Sequence, residues 1–532
     1  MIRILPILLA ASASLAHAPM RDDAGVALRL ATGSDDTPYL GLVVIPGNSA
    51  GISASESLDA TRTALEQWRT AAGGNLSYDV FKPEDQTAYP KRIKQDGLST
   101  IFYVTAMKDP IAELGEDFHA IAYTHVWTDE DGSIVEIDMA INDRDYGFLS
   151  DPQDVDYAVT RRFILLQDVV THELGHAIGL DHTGVMSSTQ FTYNWNGQHT
   201  LGCDDRAGAR ALYGDGGGAL TGQVEADDGT VLSGAHVLAV SLDRRTPYAS
   251  ALTDADGHFA IEGLEDGRYH LVVEPWLAGE GTLTGPVVSS TCSPGTLART
   301  PITSEEGTLS TYAITGDAQD AGTLVARCTG DGAAYVEPVA EGRVLLDGNG
   351  AATLPDVLAP GQTRNLALNG ISGELVVVPM AWSVFSAVRV RMDLLDSDGS
   401  VVRTLERAPL FLDETTGYRD LDGILIASDL PAGDYTLQLT AQAIPEDTVP
   451  RGDLYVDPAP YVLITAGAGE AMDTEALLSG SLTRCQDEPD LDPFPGTGAT
   501  IPDPPGCSST GAPAGVALAG LGLILGMIRR RR

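Results

Sequence analysis

Basic residues are scarce in this sequence. Its 532 residues include 33 lysines and arginines against 74 aspartates and glutamates, which gives a net charge of −41. Because phosphate binding needs a basic face, this balance argues against a nucleic-acid partner. A well-solvated extracellular surface that repels its own copies accounts for the charge, and a calcium-loaded or salt-adapted surface is the alternative.

An apolar run of residues 4–16 follows Arg3 near the N-terminus, and Ala16-His17-Ala18 fits an A-x-A cleavage site. These features predict a signal peptide over residues 1–18, which is too short to span a bilayer. We therefore expect the protein to be exported, to the cell surface or the extracellular space.

A second apolar run, residues 508–528, carries no charge and precedes four arginines, 529–532. Its length suits about one bilayer crossing, with the arginines as a cytoplasmic stop. A Pro/Asp/Gly-rich linker over residues 487–507 ends in Cys507, and the whole tail resembles the tripartite sorting tails of myxobacterial surface proteins. That resemblance implies processing near Cys507 by a myxosortase, whereas the residues alone predict a C-terminal anchor helix. Either way, we expect a membrane partner before processing.

Cysteine is also rare, with five in the chain. Apart from Cys507, four remain for an oxidising compartment: Cys203, Cys292, Cys328 and Cys485. Four cysteines allow three pairings, among which the sequence does not choose. Cys292 with Cys328 is preferred because both fall in one β-rich region.

Residues 40–214 show mixed helical and strand patterns. Ser53 and Glu56 form a capping box ahead of a helix that Gly73-Gly74 ends. Strands are predicted over residues 42–45, 101–105 and 134–141, and a short helix over residues 204–212. A long helix is predicted over residues 157–178, with this buried stripe: Phe163, Leu166, Val170, Leu174 and Ala177.

The segment Thr171-His172-Glu173-Leu174-Gly175-His176-Ala177-Ile178-Gly179-Leu180-Asp181-His182 carries the chemistry. His172 and His176 are four residues apart on one helical face, so both imidazoles can reach one tetrahedral zinc ion. Gly179 allows the sharp exit, with positive φ, that brings His182 to the same ion. Glu173 lies beside the first ligand, where it can act on a water in the open fourth position.

This segment, followed by Met186, resembles the metzincin signature, and Thr183 is closest to the serine of matrixins. The resemblance extends over residues 40–214 and implies one catalytic zinc held by His172, His176 and His182, with Glu173 as general base. It also implies that Met186 forms a hydrophobic floor beneath the metal. The loop of residues 187–198 should form one wall of the substrate pocket, where its three aromatic side chains either line the pocket or pack: Phe191, Tyr193 and Trp195.

The chain departs from metzincin relatives in three respects. No cysteine lies between the signal peptide and Leu40, so the thiol latency switch of animal matrixins is absent. Ser188 stands where astacins and serralysins place a zinc-binding tyrosine. The histidine-rich structural zinc site of animal matrixins is not matched either. We interpret His119 and His125 as surface or packing residues.

Short strands and turn signals replace helical periodicity after Gly216-Gly217-Gly218. The hairpin of residues 253–259, with Gly267 and Tyr269, resembles a carboxypeptidase-regulatory-like β-sandwich. Its Asp-rich loop could bind Ca²⁺, although a polar hairpin turn is the preferred interpretation. Residues 430–435 resemble the closing hairpin of bacterial pre-peptidase C-terminal domains.

The predicted fold is therefore multidomain, an α+β metzincin-type catalytic domain followed by β-sandwich domains. Its predicted segments are a signal peptide (1–18), a short N-terminal segment (19–39), the catalytic domain (40–215), a carboxypeptidase-regulatory-like β-sandwich (219–275), a β-rich region that could complete either neighbour (276–356), a second β-sandwich resembling pre-peptidase C-terminal domains (357–486), the linker and sorting motif (487–507), and the transmembrane segment with its arginine tail (508–532).

The expected function is that of a secreted, envelope-associated zinc metalloendopeptidase acting on extracellular proteins or peptides. A surface adhesion protein with a catalytically silent metal domain is the first alternative. A metal-dependent hydrolase of small molecules is the second, and it is disfavoured because the motif otherwise marks proteases.

Overall fold

A computed structural model gives the structure of the chain. It describes residues 19–22, 26–46, 52–85, 89, 91–105, 120–150, 163–185, 188–192, 198–214, 216–242, 244, 246–276, 292, 296–298, 300–303, 309–329, 344–346, 351–358, 361–380, 385–386, 388–408, 412–413, 418–419, 425–443, 455–456, 459–466 and 485. Within these ranges, the three helices all lie before residue 214, and the elements after it are β-strands.

The first domain packs its helices on a six-stranded sheet. Its strands are β1 (Arg29–Leu30), β2 (Tyr39–Ile45), β3 (Ser77–Phe81), β4 (Thr100–Tyr103), β5 (Ala122–Thr128) and β6 (Ser133–Ile141). The order is β1-β6-β4-β2-β3, all parallel, and β5 pairs with β6 as the antiparallel strand. The three helices are α1 (Ala54–Ala71), α2 (Leu166–Ala177) and α3 (Cys203–Tyr213).

Helix α1 begins as the sequence predicts. Ser53 Oγ accepts from Glu56 N, and Glu56 Oε2 accepts from Ser53 N at 2.6 Å, so the capping box is confirmed. Leu65 and Trp68 are buried on its inner face. Gly73 and Gly74 follow with φ of 69° and 83°, which ends the helix.

Helix α2 is shorter than predicted. Residues 163–165, which we expected to be helical, form strand β8 (Phe163–Leu165), which pairs in parallel with β7 (Gly147–Leu149). No side chain caps the helix at Leu165, so the sequence carries no start signal there, and pairing with a distant strand overrides the helical period. Residues 157–162 lie outside the described residues.

The segment of residues 19–39, which the sequence separated from the catalytic domain, contributes to the core of that domain. Met20, Leu28 and Leu30 belong to its buried apolar cluster. Met20 N donates to Gly179 O at 2.8 Å, and Leu30 N donates to Tyr213 Oη at 2.9 Å. The N-terminal segment therefore packs directly behind the end of α2.

The second domain consists of two facing sheets. One has the order β11-β10-β13-β15 with β16 on β13, and the other has the order β12-β9-β17. The strands are β9 (Gly218–Ala226), β10 (His236–Ser241), β11 (Thr246–Leu252), β12 (His258–Leu264), β13 (Gly267–Glu274), β14 (Thr296–Leu297), β15 (Thr300–Pro301), β16 (Tyr312–Ile314), β17 (Ala318–Ala326) and β18 (Cys328–Thr329). The described part of residues 296–329 thus completes this domain.

A third region is built on a seven-stranded sheet of order β20-β29-β21-β27-β23-β24, with β19 on β21. Its elements are β19 (Val344–Leu346), β20 (Ala351–Leu358), β21 (Thr363–Met380), β22 (Phe385–Ser386), β23 (Val388–Leu395), β24 (Val401–Ala408), β25 (Leu412–Asp413), β26 (Tyr418–Arg419), β27 (Leu425–Ala443), β28 (Tyr455–Val456) and β29 (Ala459–Ala466). The sheet begins before residue 357, where the sequence placed the boundary. The resemblance to pre-peptidase C-terminal domains stays a prediction.

Two disulfides join the described cysteines. Cys292 pairs with Cys328, which confirms the preferred pairing, and Cys203 pairs with Cys485. Cys203 opens α3, so the second bond ties the first domain to a residue 282 positions further along the chain.

The described residues include no helix that is both long and apolar enough to cross a membrane. The predicted signal peptide, the sorting motif with Cys507 and the predicted transmembrane segment lie outside the described residues.

Candidate metal centre

Helix α2 is held in place by α1. Trp68 is fully buried, and its Nε1 donates to Thr171 O at 2.9 Å, beside the first histidine of the motif. A buried indole N–H needs such an acceptor, so the contact sets the position of α2 on α1. The helix then presents His172, Glu173 and His176 together.

Gly179 turns the chain out of α2. Its φ of +101° confirms the predicted positive φ, which a residue with a Cβ rarely adopts. A Cβ at this position would also lie against Leu28 O, well inside contact distance. The turn therefore requires glycine for two reasons, its positive φ and the close approach of Leu28 O. Beyond the turn, the chain continues to His182.

The structure brings His172, His176 and His182 together. One ligand atom from each lies within 4.8 Å of the other two, and all three side chains are buried. Nε2 of His172 and Nε2 of His176 are 3.1 Å apart. Ligand nitrogens on a tetrahedral zinc ion, with Zn–N of about 2.0–2.1 Å, are about 3.3 Å apart. Three imidazoles in this arrangement fit zinc.

In two of the histidines, a hydrogen bond to a backbone carbonyl determines which ring nitrogen carries the proton. His172 Nδ1 donates to Thr189 O at 2.6 Å, and His176 Nδ1 donates to Leu180 O at 2.8 Å. Because a carbonyl can only accept, Nδ1 carries the proton and Nε2 keeps its lone pair for a metal.

Glu173 lies beside this cluster with only 1% of its surface exposed. Thr124 Oγ1, on β5, donates to Glu173 Oε2 at 2.6 Å. Burial raises the pKa of Glu173 to about 7, and the hydrogen bond from Thr124 opposes that rise. The hydrogen bond from Thr124 thus holds the carboxyl group in one position, and burial favours its protonated form.

Residues 188–190, which contact His172, are held by hydrogen bonds to Asp205 of α3. Asp205 accepts from Thr189 N at 2.6 Å and Gln190 N at 3.1 Å, and also from Ser188 Oγ. Gln190 Nε2 in turn donates to His172 O at 2.6 Å. Sequence patterns did not identify Asp205 or Thr124 as partners, because both are distant in the chain from the motif.

Other residues named from the sequence have mixed outcomes. Met186, Tyr193, Trp195 and His119 lie outside the described residues. Phe191 is buried, with its N donating to Ser188 O at 3.2 Å. His125 packs its ring 4.3 Å from that of Trp127 and has Nδ1 3.1 Å from Tyr123 Oη, as expected for a packing residue.

The Asp-rich loop of the second domain is a hairpin turn. Asp254 Oδ1 accepts from Asp256 N and His258 N, both at 2.9 Å. Asp129 and Asp396 make the same pair of bonds in two other hairpins. Because Asp254 Oδ1 accepts these two backbone hydrogen bonds, it serves to close the turn. Nothing among the described residues supports calcium at this loop.

Solved structures resemble parts of the chain weakly. A periplasmic inhibitor of g-type lysozyme from Aeromonas hydrophila is 12% identical and aligns over 24% of this chain and 98% of its own, with a TM-score of 0.15. A streptococcal ancillary pilin is 12% identical over 48% of this chain and 59% of its own, with a TM-score of 0.14. The C-terminal CBM6 of a laminarinase from Zobellia galactanivorans is 14% identical over 22% and 80%, with a TM-score of 0.12. These scores are too low to support an argument.

No curated protein matches the chain. Family models match two stretches: residues 47–214 match Matrixin, and residues 219–276 match the carboxypeptidase regulatory-like domain. The Matrixin match ends with α3, and the second match covers β9 to β13. The chain therefore carries a Matrixin domain followed by a carboxypeptidase regulatory-like domain, which supports a metzincin-type zinc metallopeptidase.

Proposed function

We propose that this chain is an exported zinc metalloendopeptidase that cleaves peptide bonds in extracellular proteins. The observation that carries the proposal is the convergence of His172, His176 and His182 beside the buried carboxyl group of Glu173. The Matrixin match over residues 47–214 supports the same reaction class.

The histidines would hold the zinc ion, which when bound supplies Lewis-acid activation of the scissile carbonyl and of water. Glu173 accepts a proton from the attacking water and returns it to the leaving amine. Thr124 keeps the carboxyl group of Glu173 oriented for both transfers.

Strand β5 offers a docking edge for the substrate. Among the described strands it pairs with β6 alone, in antiparallel register from Ala122↔Ile141 onward. An extended peptide can add to such an edge through backbone hydrogen bonds. Because Thr124 lies on β5 and contacts Glu173, a peptide on this edge would run close to the proposed base.

A Glu173→Gln variant tests the proposal. Glutamine has almost the same shape but cannot accept the proton, so casein cleavage should fall by roughly 10²–10⁴-fold. Zinc content after dialysis should remain at one ion per chain, and a chelator should abolish wild-type cleavage. Near wild-type cleavage by the zinc-loaded variant would refute the assigned mechanism.

A Glu136→Gln variant is the matched control. Glu136 is another buried carboxylate, and its two oxygens accept from Asp96 N at 2.7 Å and Gly97 N at 2.9 Å, away from the histidines. We expect this variant to lose stability but to keep zinc-dependent cleavage. The alternative, an adhesion protein with a silent metal domain, predicts no zinc-dependent cleavage by the wild type.

The localisation part of the proposal rests on residues 1–18 and on the tail from Cys507 onward. Deleting residues 508–532 should release active enzyme into the medium, because a continuous apolar run with a Pro-rich linker offers no face to a folded core. A deletion variant that misfolds while the full chain is active would contradict this.

A further inference from the structure

The second domain presents an apolar patch to the loop that follows His182. Val185, three residues after His182, is 1% exposed. It lies in one buried cluster whose other members all come from the second domain: Leu238, Val240, Leu242, Val272 and Leu309. The loop that follows His182 thus inserts its apolar side chain into β10 and β13 of the neighbouring domain.

Gly184, two residues after His182, rests on a histidine of the same face. A Cβ at Gly184 would lie 2.6 Å from Cε1 and 2.9 Å from Nδ1 of His236, so the loop backbone contacts the imidazole ring directly. His236 is held in turn by Glu274, with Nδ1 2.9 Å from Oε1, and both side chains are 1% exposed. The ring also packs edge-on against Trp276, at 5.3 Å between centroids.

Thr183, adjacent to His182, is hydrogen-bonded across the same boundary. Thr183 Oγ1 lies 3.2 Å from Ser250 Oγ, and Ser250 Oγ donates to Asp204 Oδ1 at 3.2 Å. Since the one hydroxyl proton of Ser250 points at Asp204, Thr183 donates to Ser250. Thr183 Oγ1 also accepts from Val185 N at 3.2 Å.

All three residues after His182 therefore contact the second domain. The two domains are also joined through α3, because Arg210 donates to Gly263 O at 2.7 Å and pairs with Glu265 at 3.1 Å. We infer that the carboxypeptidase regulatory-like domain is a positioning platform for the third metal ligand, so that zinc affinity depends on Ser250, His236 and Val240. The inference rests on the proposed function, since it concerns the same histidine cluster.

A matched pair of valines in the full-length protein tests the platform. Val240 and Val237 lie on the same strand, and both are fully buried. Val240 belongs to the cluster with Val185, and Val237 belongs to a separate cluster that fills the space between the two sheets and includes Cys203 and Ala207 of α3 but no residue of the loop after His182. We expect Val240→Ala and Val237→Ala to lower the melting temperature to a similar extent. Only Val240→Ala should weaken zinc binding, by roughly 10–100-fold in competition with a chromophoric chelator.

The visible spectrum of the cobalt-substituted protein reports the geometry of the ligands themselves. It should change in Val240→Ala and stay as in the wild type in Val237→Ala. If Val240→Ala does not fold, Ser250→Ala decides the question with Ser241→Ala as its control, because Ser241 is a buried hydroxyl that serves Arg244 N within its own domain at 3.0 Å.

Wild-type zinc affinity and an unchanged cobalt spectrum in both Val240→Ala and Ser250→Ala would overturn the platform. Equal losses of zinc affinity in the two valine variants would do the same, since general destabilisation would then explain them. A wild-type chain that binds zinc tightly but cleaves no peptide would refute the proposed function and leave the platform intact.

Discussion

Each of the hydrogen bonds described at the metal centre fixes the state of one side chain, either the tautomer of a histidine or the orientation of Glu173. Thr189 O and Leu180 O accept hydrogen bonds from Nδ1 of His172 and His176, so Nε2 of each ring is left for the ion. Because a backbone carbonyl can only accept, each of these hydrogen bonds fixes the neutral tautomer that carries its proton on Nδ1. Thr124 Oγ1 restrains the carboxyl group of Glu173 by donating a hydrogen bond to its Oε2.

Replacing the third histidine should disrupt the centre although it lies outside the helix. His182→Ala removes one of three ligands, and its zinc affinity should fall by more than the roughly 10–100-fold that loss of a ligand's hydrogen-bond partner costs. Metal analysis after dialysis measures this. His199→Ala is the control, because His199 is a buried histidine that bonds to Asp168 at 2.7 Å, and this variant should keep its zinc. Equimolar, tight zinc in His182→Ala would contradict the assignment.

At the scale of elements, α2 carries two ligands and depends on its neighbours for position. Helix α1 contributes the Trp68 bond to Thr171, and the N-terminal segment contributes the Met20 bond to Gly179. Both contacts join residues more than a hundred positions apart. The helix is therefore fixed at its middle by one element and at its exit by another.

Trp68→Phe should lower the free energy of unfolding by roughly 1–3 kcal/mol, since it removes a buried hydrogen bond and leaves a gap between α1 and α2. Chemical denaturation of the full chain measures the change. Trp127→Phe alters a half-buried tryptophan at the end of β5 and should cost less. A larger loss in Trp127→Phe would mean that α2 is positioned by other contacts.

At the scale of the whole molecule, the two disulfides close loops of very different length. Cys292–Cys328 spans 36 residues, and Cys203–Cys485 spans 282. A crosslink that closes a longer loop removes more conformational entropy from the unfolded chain. The bond at the start of α3 is therefore expected to stabilise the fold more.

Two double variants compare these bonds without leaving a free thiol. Cys203→Ala with Cys485→Ala should lose about 2 kcal/mol more free energy of unfolding than Cys292→Ala with Cys328→Ala, from the ratio of loop lengths. Calorimetry and denaturant unfolding under oxidising conditions provide the measurement. Equal losses from the two pairs would show that the long loop is already restrained in the unfolded chain.

Local patterns were sufficient for the features that depend on local geometry. The spacing of His172 and His176, the positive φ at Gly179 and the capping box at Ser53 involve residues within one or two helical turns of each other, where the chain has few conformations to choose from. The predicted helix was wrong for residues 163–165. Pairing with β7 makes these residues a strand, and no capping side chain marks the point where α2 begins.

The sequence by itself therefore determined which residues can form the metal centre and how α2 presents two of them. Only the tertiary structure decided what holds the centre in place: Thr124 on Glu173, Asp205 behind His172, and the second domain beneath the loop after His182. These partners lie roughly 20 to 130 residues from the site in the chain. Side-chain periodicity reports which face of an element is buried, and it carries no information on which distant element covers that face.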